Sequence, residues 1–189
     1  MTDAELEDQL RNKRAVVVHF SHHSVINPHR PLFPGDLAQA IANRDKFTLS
    51  CSVVWPNHPM DLVGSVGVIF KPRCANVISV SNSDSGSMSM ADGSDGSLGV
   101  PLTDQSFAST FQPVGKYNEW RVQGAEVAGI FVANVNSILT KRTVEFDVMG
   151  VKQTAVSAEA TRLADIFDAF PAQQFFTMSI NGLREIFRS

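Results

Sequence analysis

The chain has 189 residues, 43% of them hydrophobic and 19% charged, which suits a single globular unit with a real core. Its net charge of −3 excludes a bulk electrostatic drive toward nucleic acid or an anionic membrane. No run approaches the roughly 18 apolar residues that span a bilayer, and the charged start MTDAELEDQLRNKR lacks the apolar core of a signal peptide.

Thr2 and Glu5 form a capping box, and Leu6 and Leu10 sit four apart, so the pattern predicts a helix over 3–13 with a thin apolar stripe. Residues 14–20, RAVVVHF, alternate with Val16, Val18 and Phe20 on one side and predict a first strand. SHHSVINPHRPLFPG follows as a proline-punctuated loop. Asp36 opens a helical turn with Leu37 and Ile41 on one face. Two alternating runs then end on prolines: Leu49, Cys51, Val53 and Trp55 share a face, and so do Val66, Val68 and Phe70. They are expected to be a half-buried antiparallel pair spanning 47–72.

Val77, Ile78 and Val80 lead into serines at every second position from 79 to 89, and turn chemistry predicts a loop over 82–97. Residues 98–113 read as two short strands around a turn, with Leu98, Val100, Leu102, Phe107 and Phe111 in a mixed pattern. Glu126–Val135 and Thr143–Val148 read as strands, the second with Val144, Phe146 and Val148 inward and Glu145 and Asp147 outward. In the tail, Ser157 is placed as an N-cap for an amphipathic helix through Phe170, carried by Leu163, Ile166, Phe167 and Phe170, and Pro171 stops it. QQFFTMSI is ambiguous between strand and helix. Asn181-Gly182 is a turn, and Leu183, Ile186 and Phe187 repeat helical spacing.

Seven or eight short strands with long connections predict a mainly β fold: an antiparallel β-sandwich or jelly roll with a short N-terminal helix and a C-terminal amphipathic helix. The expected division is a β domain over 1–153 with a helical appendage over 154–189.

Chemistry-bearing patterns are sparse. His19, His22, His23 and His29 are the metal candidates, since imidazole suits zinc, but no acidic or thiol partner completes a site, and surface histidines on a polar loop account for them. No cofactor is expected. Cys51 lies mid-strand, and Cys74 follows Lys71 and Arg73, cations that lower a thiol pKa. No GxSxG elbow and no phosphate loop is present, so an enzyme is not expected. Arg11, Lys13 and Arg14, Lys71 and Arg73, and Lys141 and Arg142 are the short basic groups available for RNA or assembly contacts.

The stretch SCSVVWPNHPMDLVGSVGVIFKPRCANV, within Leu49–Val77, resembles the central strands of single jelly-roll coat proteins of small plant RNA viruses, the tymovirus type in particular. The resemblance implies a subunit that assembles with copies of itself into a shell around single-stranded RNA, located in the virion or the host cytoplasm. It carries over no functional residue. The strand TVEFDVMGV followed by a helical tail also looks like plant-virus movement proteins, whose usual aspartate after an early core strand has no counterpart near Lys71. The alternatives are therefore a viral movement or RNA-binding protein, and a non-viral β-sandwich binding module using the histidine loop for a metal or ligand.

Overall fold

The computed structural model describes residues 1–21, 35–58, 64–83, 99–112 and 118–188. Helix α1 spans Asp3–Lys13, as its capping box requires: the Glu5 N–H donates to Thr2 Oγ1 at 3.3 Å and the Thr2 N–H donates to Glu5 Oε2 at 2.6 Å. Arg14 ends it in the left-handed region, and the chain enters strand β1, Val16–Phe20. Helix α2 (Gly35–Asn43) follows, with the Leu37 N–H donating to Asp36 Oδ1 at 2.8 Å. Strands β2 (Leu49–Val54), β3 (Val66–Lys71) and β4 (Val77–Ser81) come next. Helix α3 (Asp104–Thr110), β5 (Glu119–Val122) and β6 (Glu126–Val132) then lead to a long two-stranded ribbon, β7 (Ile138–Val148) and β8 (Val151–Thr161). Helix α4 (Leu163–Ala169), β9 (Phe175–Ser179) and β10 (Gly182–Ile186) finish the chain.

Eight strands form a sheet in the order β10-β9-β6-β3-β1-β2-β5-β4, and among the described residues β7 pairs only with β8. Every pairing is antiparallel except β6 with β9. That parallel pair needs a crossover, and the ribbon and α4 supply it. The fold is mainly β, with an antiparallel-rich sheet and four α-helices among the described residues.

Both faces of the sheet centre are buried. On one face Val17, Val53, Val68, Trp120, Ile130 and Phe175 meet Leu6 of α1, Leu37 of α2, Phe107 of α3, and Ile166 and Phe167 of α4. All four helices therefore contribute to one core. The other face carries a smaller cluster of Val18, Phe20, Val54, Ile69 and Phe131, with Phe20 and Phe131 edge to face at 5.8 Å.

Several sequence expectations are corrected. The runs within 47–72 are strands, but they do not pair with each other: β1 lies between them, with Val17 opposite both Val53 and Phe70. They are buried on both faces, because Val54 and Ile69 fill the second cluster. Within 98–113 the described residues 99–112 hold one helix and a single bridge at Val100 instead of two strands. Thr103 caps it by accepting from the Ser106 N–H at 3.1 Å, and Phe107 and Phe111 share a face one turn apart. The predicted helix over 157–170 is only Leu163–Ala169. Ser157 sits in β8, where eleven cross-strand pairs with β7 override local helical spacing. Leu183–Phe187 is not helical either: Gly182–Ile186 pairs residue by residue with β9. Residues 154–189 thus carry mostly strand, and β9 and β10 extend the main sheet. The serine-run loop over 82–97 and the histidine loop lie largely outside the described residues.

Candidate functional site

The metal candidates separate. His19 is in β1, buried, with Nδ1 at 2.7 Å from the Ser50 carbonyl oxygen. It belongs to the sheet interior. His22, His23 and His29 lie outside the described residues. Among the described residues, no group of three or more His, Cys, Asp or Glu is arranged to hold a metal ion.

Neither thiol is activated. Burial pushes the Cys51 thiol far above its ordinary value, and the nearby Glu119 charge adds to the effect. Cys74 was expected to be lowered by Lys71 and Arg73, but it is raised: partial burial comes first, then its contact with the Asp3 carboxylate. The acidic neighbour is contributed by α1, which sequence proximity to the two cations does not reveal. Glu145 and Asp147 do share one exposed face of β7. Asp147 is engaged in the turn, accepting from the Gly150 N–H at 2.7 Å.

Among the described residues the basic groups form no continuous track. Arg11 is paired on its own helix with Glu7 at 2.9 Å and Asp8 at 3.0 Å. Lys13 lies 5.2 Å over the Phe111 ring. Arg14 ends α1 and packs its aliphatic stem beside Gly182. Lys71 and Arg73 do join Arg11 around a groove of about 640 Å³, but Asp3, Glu7 and Glu126 line the same groove and balance them. Val16, Ile69, Ala128 and Leu183 also line it. Lys141 and Arg142 are on β7, and their side chains lie outside the described set.

The surface feature that stands apart is apolar. The ribbon turns at Met149-Gly150 with positive φ at both residues, 54° and 81°, the geometry that matches strand twist in a two-residue hairpin. At its base Ile138 is buried in the larger core. Toward its tip the cross-strand pairs Phe146–Gln153 and Val148–Val151 make one face, and Glu145–Thr154 and Asp147–Lys152 the other. Phe146 and Val148, expected inward, are exposed because no second layer packs there among the described residues. Met149 is 99% exposed.

A second apolar group surrounds β10: Ile180, Leu183 and Phe187, the last 76% exposed. Together with Phe146, Val148, Met149 and Val151 these are the exposed large hydrophobic residues of the described chain, apart from Phe47, Ile78 and Val100. Sequence reasoning missed the ribbon tip, where it placed Phe146 and Val148 inward, and it read the apolar residues around β10 at helical spacing. The Val148-Met149-Gly150-Val151 turn and the Asn181-Gly182 turn were the available signals.

No family model, curated protein or solved structure matches this chain. Among the described residues no helix is long and apolar enough to cross a membrane.

Proposed function

We propose that this chain is a structural subunit that associates with copies of itself. The observation carrying this reading is the concentration of exposed large hydrophobic side chains on two features, the ribbon tip and the surroundings of the edge strand β10. Such patches mark interaction surfaces, since scattered single residues are the ordinary pattern. A two-stranded ribbon is marginal in water by itself and gains stability when its apolar face is covered.

The finer reading is a viral coat subunit enclosing RNA, supported by the resemblance of Leu49–Val77 to coat-protein strands. A jelly roll divides eight strands between two antiparallel sheets. Here the eight strands follow one ladder order with a parallel pair, so the coat reading leans on self-association and strand pattern and not on topology. RNA contact has little electrostatic support. The groove is charge-balanced, and in the ribbon Lys141, Arg142 and Lys152 are matched by Glu145, Asp147 and Glu159.

Sedimentation velocity over a range of protein concentration, followed by negative-stain imaging, tests both levels. Concentration-dependent oligomers support the subunit reading, and closed particles of tens of nanometres support the coat reading. A monomer at every concentration, salt and pH sinks both.

A further inference from the structure

We propose that the β8 edge of the ribbon in one copy adds antiparallel to the open β10 edge of a second copy, with Lys152 opposite Glu185. This rests on the self-association reading above and supplies its contact.

Both edges are unfinished among the described residues. β10 pairs with β9 on one side only, and β7 and β8 pair only with each other. An open strand edge is a template for another strand. The opposite end of the sheet is treated differently: β4 is capped by a bridge in which the Val80 N–H donates to the Val100 carbonyl at 2.8 Å and the Val100 N–H returns a bond at 2.9 Å. Among the described residues the β4 edge has that one bridge and the β10 edge has none, and the β10 end also exposes Ile180, Leu183 and Phe187.

Charge selects the partner strand. β10 carries Arg184 and Glu185 in its middle. With Lys152 opposite Glu185, Gln153 faces Arg184, Thr154 faces Leu183 and Val151 faces Ile186. No like charges meet, and one opposite pair forms. Main-chain geometry agrees. Counted from the two-residue turns, outward groups fall at Leu183 and Glu185 on β10 and at Lys152 and Thr154 on β8, so the same residues meet. The β7 edge is the poorer choice: registers that set Glu145 or Asp147 opposite Glu185 meet like charges, the one that sets Lys141 there puts Arg142 opposite Arg184, and the one that sets Thr143 there forms no opposite pair. Pairing β10 with itself brings Arg184 against Arg184 or Glu185 against Glu185 in its central registers. A register centred on Leu183 avoids this but leaves the ribbon uncovered.

The contact is heterologous: each copy offers β8 to one neighbour and β10 to another. Such contacts propagate into rings or open chains. A five-residue strand addition is small, so association per contact is weak and depends on concentration.

The test uses Lys152→Glu, at an exposed position, and Glu185→Lys, at a half-buried one, in sedimentation velocity with far-ultraviolet circular dichroism to verify folding. Each single variant is expected to associate about fivefold or more weakly than wild type. An equimolar mixture of the two is expected to recover wild-type association. There, the glutamate introduced at 152 faces the lysine introduced at 185, and the reciprocal contact joins the unchanged Lys152 and Glu185. Thr154→Pro, which removes an outward donor from β8, is expected to abolish association. Singles that associate like wild type, or a mixture that fails to recover, overturn this contact while self-association stands. A wild type that stays monomeric overturns both.

Discussion

The side chain of Asn118 pairs with the main chain of Val53: its Oδ1 accepts from the Val53 N–H at 2.7 Å and its Nδ2 donates to the Val53 carbonyl at 2.9 Å. The β2–β5 ladder reaches Cys51 opposite Trp120, and the amide of Asn118 continues it where the backbone departs. Both residues are fully buried. Asn118→Ala leaves a buried donor and a buried acceptor unmatched, and is expected to cost about 2–4 kcal/mol. Asn118→Asp keeps the acceptor but buries a carboxylate, so it is expected to be worse at pH 7 than in mild acid. Urea denaturation of both variants at two pH values checks this; a loss below about 0.5 kcal/mol for the alanine variant contradicts the pairing.

A second buried bond ties β5 to α3. Trp120 Nε1 donates to Thr110 Oγ1 at 3.0 Å, and Thr110 is in turn buried, with its hydroxyl within 3.2 Å of the Ser106 carbonyl. The Trp120 ring also packs edge-on to Phe107, with centroids 6.0 Å apart. Thr110→Val keeps the volume and orphans the indole N–H. Its expected cost is about 1–3 kcal/mol, read as a lower denaturation midpoint with an unchanged slope.

The parts of the fold legible in the sequence are those where local and tertiary signals agree. The 3–13 helix follows from a capping box that closes within three residues. β2 and β3 follow from alternation, although the position of β1 between them depends on long-range pairing that no local pattern encodes. The tail failed for the same reason. Leu183, Ile186 and Phe187 fit helical spacing as well as a strand edge, and pairing with β9 decides between them. In β8, Ala155, Ala158 and Ala160 favour helix locally, yet the strand forms because β7 offers eleven partners. Lys71 and Arg73 were legible as a basic pair; that Asp3, Glu7 and Glu126 would neutralise their groove was not, because these residues come from α1 and β6.

Gly67 marks a close approach at the sheet centre. A Cβ there would sit 2.6 Å from the His19 carbonyl oxygen and 2.6 Å from Val18 Cγ1. The neighbour is backbone of the central strand, so it cannot swing away. Gly67→Ala is expected to destabilise by about 1–3 kcal/mol or more, through displacement of β3 from β1. A thermal melt measures the loss, and loss of hydrogen-exchange protection at Val18 and His19 localises it.

Cys51 gives the chain a dependence on alkaline pH. Its folded-state pKa is raised by burial above the ordinary thiol value of 9.0, so the folded chain holds this proton after the unfolded chain has released it. A raised pKa means a contribution that is complete below about 9 and is lost as pH climbs above it. Stability is therefore expected to fall above that pH, by at most about 1.4 kcal/mol per pH unit from this one proton. Cys51→Ala removes the titration but leaves a small cavity beside Trp120, so it lowers stability at pH 7 while flattening the decline relative to wild type. Guanidinium denaturation of both proteins at pH 7, 9 and 10 separates the two effects. Parallel declines in the two proteins would show that Cys51 does not carry the dependence.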